Sequence, residues 1–139
     1  MPFDNPVQVP IKITPITILD DMLQRLATPD DWCQRIYYRT KPNGRTQMCL
    51  MAALFVADQG GSINHDQEWK TFRTEAAVKV FNRLEKNAKN MSSSGTGAMG
   101  FNDSSFTKHA DIVALLMRTR ADFAPYWLTT MLRRFCRLT

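Results

Sequence analysis

Cysteine is scarce in this chain. There are three, Cys33, Cys49 and Cys136, an odd number with no CxxC pair. That excludes the dense, even cysteine framework of a small secreted domain. It also excludes a four-ligand zinc site, which needs close-spaced Cys or His pairs. The only histidines, His65 and His109, stand far apart. Glycine (6) and proline (7) are too few for a low-complexity chain. Long apolar runs are missing too. The longest, residues 48–57, has ten residues, half of the roughly 20 that a membrane span needs. Residues 1–10 carry Asp4 and three prolines, without the basic start and apolar run of a signal peptide. These absences point to a cytoplasmic protein with reduced thiols, no membrane span and no use for the sequons at Asn90 and Asn102.

What is present suits one domain over residues 1–139, with 44% hydrophobic residues. Residues 1–12 read as an N-terminal arm, with Val7, Val9 and Ile11 alternating as in a short edge strand. Thr14-Pro15 looks like an N-cap with proline in the first helical position. Ile16, Leu19, Leu23 and Leu26 follow at helical spacing, and Thr28-Pro29 stops that helix. Residues 32–40, rich in Trp, Ile and Tyr, read as a half-buried strand, and residues 41–44 (Lys-Pro-Asn-Gly) as a turn. Residues 49–57 are apolar on every side, which predicts a buried central helix ended by Gly60-Gly61.

Residues 66–90 read as a longer amphipathic helix with Phe72, Ala76, Val80 and Leu84 on its apolar stripe. Residues 91–100 read as a flexible loop of serine and glycine. Phe101-Asn102-Asp103-Ser104-Ser105 reads as a strand end running into a helix cap. The helix behind it would bury Ala110, Val113, Ala114 and Met117. A last helix, residues 126–139, extends the domain. The fold class is therefore α+β, mostly α, with four to five helices around a buried central helix and a small two- or three-stranded β element.

The residues Trp32, Gly44, Cys49-Leu50-Met51-Ala52-Ala53-Leu54, Phe101-Asn102-Asp103 and His109-Ala110-Asp111 together resemble a family of small uncharacterised bacterial and phage proteins. That family has a Trp, a glycine turn, a Cys-Leu-x-Gly-Ala-Leu helix and Asn-Asp before a final helix; Ala52 stands where it usually has glycine. The resemblance spans roughly residues 16–120. It implies a single α-rich domain and a bacterial or phage source, and brings no activity with it.

One constellation suggests chemistry. Cys49 falls near a helix start, where the macrodipole favours thiolate. His109 is the candidate base, with Asn102 or Asp103 to orient it and Trp32 to wall a pocket. Catalytic residues Cys49, His109 and Asp103 would then serve a thiol-dependent hydrolase or transferase. The plainer reading makes Cys49 a small core residue among apolar neighbours, and Asp103-Ser104-Ser105 a helix cap. His65, Asp66 and Glu68 are too weak a cluster to predict a metal. Gly95-x-Gly97-x-x-Gly100 matches the dinucleotide fingerprint in letters only, since no apolar strand precedes it and a strand rather than a helix is expected to follow. No cofactor is expected.

Charge is unevenly spread. Residues 1–70 hold 7 basic and 8 acidic side chains, whereas residues 71–139 hold 11 and 5, so the whole net charge of +5 lies in the second half. Lys79, Arg83 and Lys86 recur at helical spacing, with Lys89 nearby, and such a stripe can neutralise phosphates. Trp127, Arg133, Arg134 and Arg137 belong to an apolar and basic last helix, a residue mix enriched at protein interfaces. The expected function is non-catalytic: a binding or regulatory accessory protein that docks its basic half onto an acidic protein surface or nucleic acid. A phage source would allow it to antagonise a host defence complex. The last helix is also a candidate homodimer surface.

Overall fold

The computed structural model describes residues 12–61 and 71–124. The N-terminal arm, the start of the expected long helix and the expected C-terminal helix lie outside these residues.

Helix α1 spans Pro15–Arg25. Thr14 accepts from the Thr17 amide at 3.2 Å while Thr17 Oγ1 accepts from the Thr14 amide at 2.8 Å, so two helix-start donors are satisfied reciprocally. Pro15 takes the first position, where its missing N–H costs nothing. Ile18, Leu19 and Met22 face inward. A single 3-10 turn follows at Pro29–Asp31.

Only Tyr38–Thr40 of the expected strand over residues 32–40 is a strand, β1. It pairs antiparallel with β2, Thr46–Met48, with Thr40 opposite Thr46. The turn between them forms as its residues dictate: Gly44 takes φ 82° and Asn43 Oδ1 accepts from the Arg45 amide at 3.0 Å. Cys33 and Tyr37 stay tied to this edge, through the Cys33 amide on the Met48 carbonyl (3.0 Å) and the Cys49 amide on the Tyr37 carbonyl (2.8 Å), but other bonds claim the residues between them. Gln34 donates to the carbonyls of Asn102 (2.9 Å) and Ser104 (2.8 Å). Arg35 is held at φ 68° with its amide on Asp103 Oδ1 at 2.8 Å. Tertiary hydrogen bonds override the strand propensity of Ile36 and Tyr37, which are both exposed.

Helix α2, Leu50–Asp58, is the centre of the fold. All nine of its residues are buried, as expected of a helix apolar on every side. It packs against α1, α3 (Glu75–Met91), α4 (Ala98–Asp103) and β2. Gly60 and Gly61, at φ 73° and 93°, turn the chain away, and the Gly61 amide returns to the Val56 carbonyl at 2.8 Å. Helix α5, His109–Phe123, packs on α1 and α3 to close the bundle.

Five details depart from the sequence reading. Helix α3 starts at Glu75 because Thr74 is its N-cap, accepting from the Ala77 amide at 3.1 Å. Phe72 precedes the helix and packs as a ring between Phe55 and Phe81. The expected flexible loop over residues 91–100 is shorter, since α3 runs to Met91 and α4 begins at Ala98. Phe101, Asn102 and Asp103 are therefore helical, not a strand end, so a helix does follow the glycine triplet, although a helix rather than a strand precedes it. Finally, α5 buries Ile112, Leu115, Leu116 and Thr119, while Met117 is 54% exposed. Two apolar stripes run along α5, and the larger aliphatic side chains take the core.

Candidate functional site

Of the suspected constellation, Trp32, Asn102 and Asp103 are joined by side-chain hydrogen bonds, with Asn102 as the node. Asn102 is fully buried on α4. Its Oδ1 accepts from Trp32 Nε1 at 2.8 Å and from the Leu50 amide at 3.0 Å. Its Nδ2 donates to the Cys33 carbonyl at 3.2 Å and to Asp103 Oδ1 at 2.9 Å. A side-chain amide offers two acceptor lone pairs and two donors, so all four capacities are used. Asp103 in turn holds the Arg35 amide. The capping role expected of Asp103 for α5 falls instead to Asp111, whose carboxylate accepts from the Lys108 amide at 2.8 Å.

Cys49 is the N-cap of α2 rather than a residue inside it, with Sγ accepting from the Ala52 amide at 3.4 Å. It is 2% exposed, and burial pushes its thiol pKa up despite that amide. Burial likewise pushes Cys33 up to about 11. His109 opens α5, and its Nε2 lies 2.6 Å from the carbonyl of Leu26, the C-cap residue of α1. A carbonyl only accepts, so Nε2 carries the proton in this bond. The His109 ring also meets the Trp32 ring, centroids 6.3 Å apart. Among the described residues no hydrogen bond joins Cys49 to His109. The cluster thus stitches α1, α2, α4, α5 and the 33–37 segment together, and holds Cys49 as a protonated thiol at neutral pH.

The basic stripe lies elsewhere. Lys79, Arg83 and Lys86 share one face of α3 and, with Asn82 and Phe123 of α5, line an open concavity of ≈ 370 Å³. Arg83 Nε donates to Asp122 Oδ2 at 2.7 Å, and Asn87 Nδ2 donates to the same oxygen at 2.9 Å. Those bonds hold Asp122 below its ordinary 3.8, the Arg83 hydrogen bond being the largest cause. Lys79 makes a long ion pair of 3.7 Å with exposed Glu75, the kind worth little in water. Among the described residues no carboxylate pairs with Lys86. Trp127, Arg133, Arg134 and Arg137 lie outside the described residues, as do His65, Asp66 and Glu68.

Sequence reasoning did not find Phe123, whose signal was only its place at the end of α5, nor the full role of Asn102, which depends on groups 70 and 52 residues away. Among the described residues no group of three His, Cys, Asp or Glu side chains is placed to hold a metal ion, and no helix is long and apolar enough to cross a membrane.

A mostly α, α+β domain with a buried central helix, locked by one asparagine, is the class these features define. The chain belongs to a family of unknown function, DUF6197, which matches residues 10–122. That match takes in every described element and ends at Asp122, one residue short of the end of α5. No curated protein and no solved structure matches the chain.

Proposed function

We propose that the protein is a non-catalytic binding module that engages nucleic acid through the α3 face of Lys79, Asn82, Arg83 and Lys86, with Phe123 beside them. The observation that carries this reading is the concavity these residues line, which puts cationic groups and an aromatic ring on one open surface. Cations neutralise phosphates and release their counterions, while a ring in the same groove stacks an unpaired base. The bond to Asp122 fixes the Arg83 guanidinium and leaves Lys79 and Lys86 exposed for contact. Arg133, Arg134 and Arg137 follow α5 in sequence and raise the positive charge of the second half of the chain.

Fluorescence anisotropy with a labelled single-stranded oligonucleotide tests this. Two phosphate contacts, from Lys79 and Lys86, give a log–log salt slope of about −1.4, and Lys79→Glu with Lys86→Glu should weaken binding at least about tenfold. Cys49→Ala should leave affinity unchanged. Binding indifferent to the lysine changes overturns the assignment. Failure to bind DNA alongside salt-dependent binding of polyglutamate would move it to an acidic protein partner.

A further inference from the structure

A second cavity lies apart from the basic face, between the turn that follows α3 and the turn that precedes α5. Its volume is ≈ 390 Å³, within the roughly 300–1,000 Å³ of small-molecule sites. Serine and threonine hydroxyls, Ser92, Ser94 and Thr107 among them, make much of its wall, with Asp111 and Phe101. Among the described residues no lysine or arginine lines it, and the Asp111 carboxylate disfavours an anion. So many hydroxyls are equally poor company for a purely apolar guest.

The hydroxyls are adaptable. Ser92 Oγ lies 3.0 Å from Ser94 Oγ and 3.1 Å from Thr96 Oγ1, and in each pair either atom can be the donor. Asp111 uses one oxygen on the Lys108 amide, and a carboxylate has room for about four hydrogen bonds. At the lip stands Phe106, 89% exposed and the most exposed large apolar side chain among the described residues. The turn that carries it is fixed at the backbone: the Thr107 amide returns to the Ser104 carbonyl at 3.1 Å, and the Phe106 amide to Ser104 Oγ at 3.3 Å. An aromatic face is electron-rich and attracts weakly positive C–H groups. One ligand class presents both a C–H face and a ring of hydroxyls.

We infer that this cleft binds a neutral carbohydrate of one or two sugar rings, with the C–H face of one ring against Phe106 and hydroxyls donating to Asp111 and exchanging hydrogen bonds with Ser92, Ser94 and Thr107. The assignment is independent of the nucleic-acid reading, since the two sites share no residue.

A ¹⁵N–¹H NMR titration of the full chain with glucose, galactose, mannose, N-acetylglucosamine and their common disaccharides tests it. The expected result is saturable shifts for at least one sugar, confined to residues 91–94 and 104–111. Phe106→Ala, whose side chain supports no core contact, should weaken that binding about tenfold with an unchanged circular dichroism spectrum. Lys86→Glu should leave it unaltered. Absence of saturable shifts with every sugar, or shifts that survive Phe106→Ala, overturns the proposal.

Discussion

At the scale of single residues, Asn102 has the largest expected consequence. Asn102→Ala strips the partner from the Trp32 indole N–H and the Leu50 amide and leaves a void in a fully buried site. Each orphaned buried group costs about 1–3 kcal/mol, so a loss of about 3 kcal/mol or more should appear in urea unfolding, with the indole fluorescence of Trp32 altered in the native state. The thiols give a second expectation. Cys33 and Cys49 are buried and shifted upward, so peptide mapping after iodoacetamide treatment at neutral pH should find both unmodified in the native protein and modified in denaturant. Rapid native labelling of Cys49 would revive the thiol chemistry. Asp122 gives a third. Its folded pKa lies below 3.8, so its bond with Arg83 contributes stability fully above that value and loses it as pH falls through the lower folded pKa. Asp122→Asn should therefore be less stable than the native chain at neutral pH, and the gap between their melting temperatures should close in acid. Asp31, lowered first by the Thr28 hydroxyl, shifts in the same direction.

At the scale of elements, the starts of α3 and α4 are fixed by carboxylates from other helices. Asp58, the last residue of α2, accepts from the Arg73 amide at 2.6 Å, the Thr74 amide at 3.0 Å and the Thr74 hydroxyl. It joins the end of one helix to the N-cap of the next, so Thr74→Ala should cost about 1 kcal/mol for the cap and more for the lost partner of Asp58, read as a lower midpoint in thermal unfolding. Glu85 of α3 does the same for α4, accepting from the Ala98 amide at 2.8 Å. A Cβ at Gly97 would run into that carboxylate. Local signals made much of this legible. Thr14-Pro15, Asn43-Gly44 and Gly60-Gly61 mark boundaries by chemistry that needs no distant partner, and the all-round apolar α2 announced its own burial. Residues 33–37 and 98–103 were misread for one shared reason. Their conformations are set by bonds to each other across about 70 residues of chain, which no periodicity records. The bonds that occupy Cys49 and His109, to the Ala52 amide and the Leu26 carbonyl, were not anticipated, and the second of them spans 83 residues.

At the scale of the whole molecule, the charge of +5 resolves into local arrangements. Arg25, Arg83 and Arg120 are bound to Asp21, Asp122 and Asp20, so they structure the surface more than they charge it. Lys79 and Lys86 stand exposed to solvent, and the described chain carries its two candidate sites on separate surfaces, one cationic and one hydroxyl-lined. The clasp at Asn102 has one more consequence. Its two acceptor bonds close stretches of 70 and 52 residues with one small amide. Such closures are entropically costly and come late in assembly, and they cannot be released piecemeal once made. The Leu50 amide proton should consequently exchange with solvent only when the entire domain opens. Its exchange rate would then be a direct meter of global stability, legible from one resonance in the intact protein.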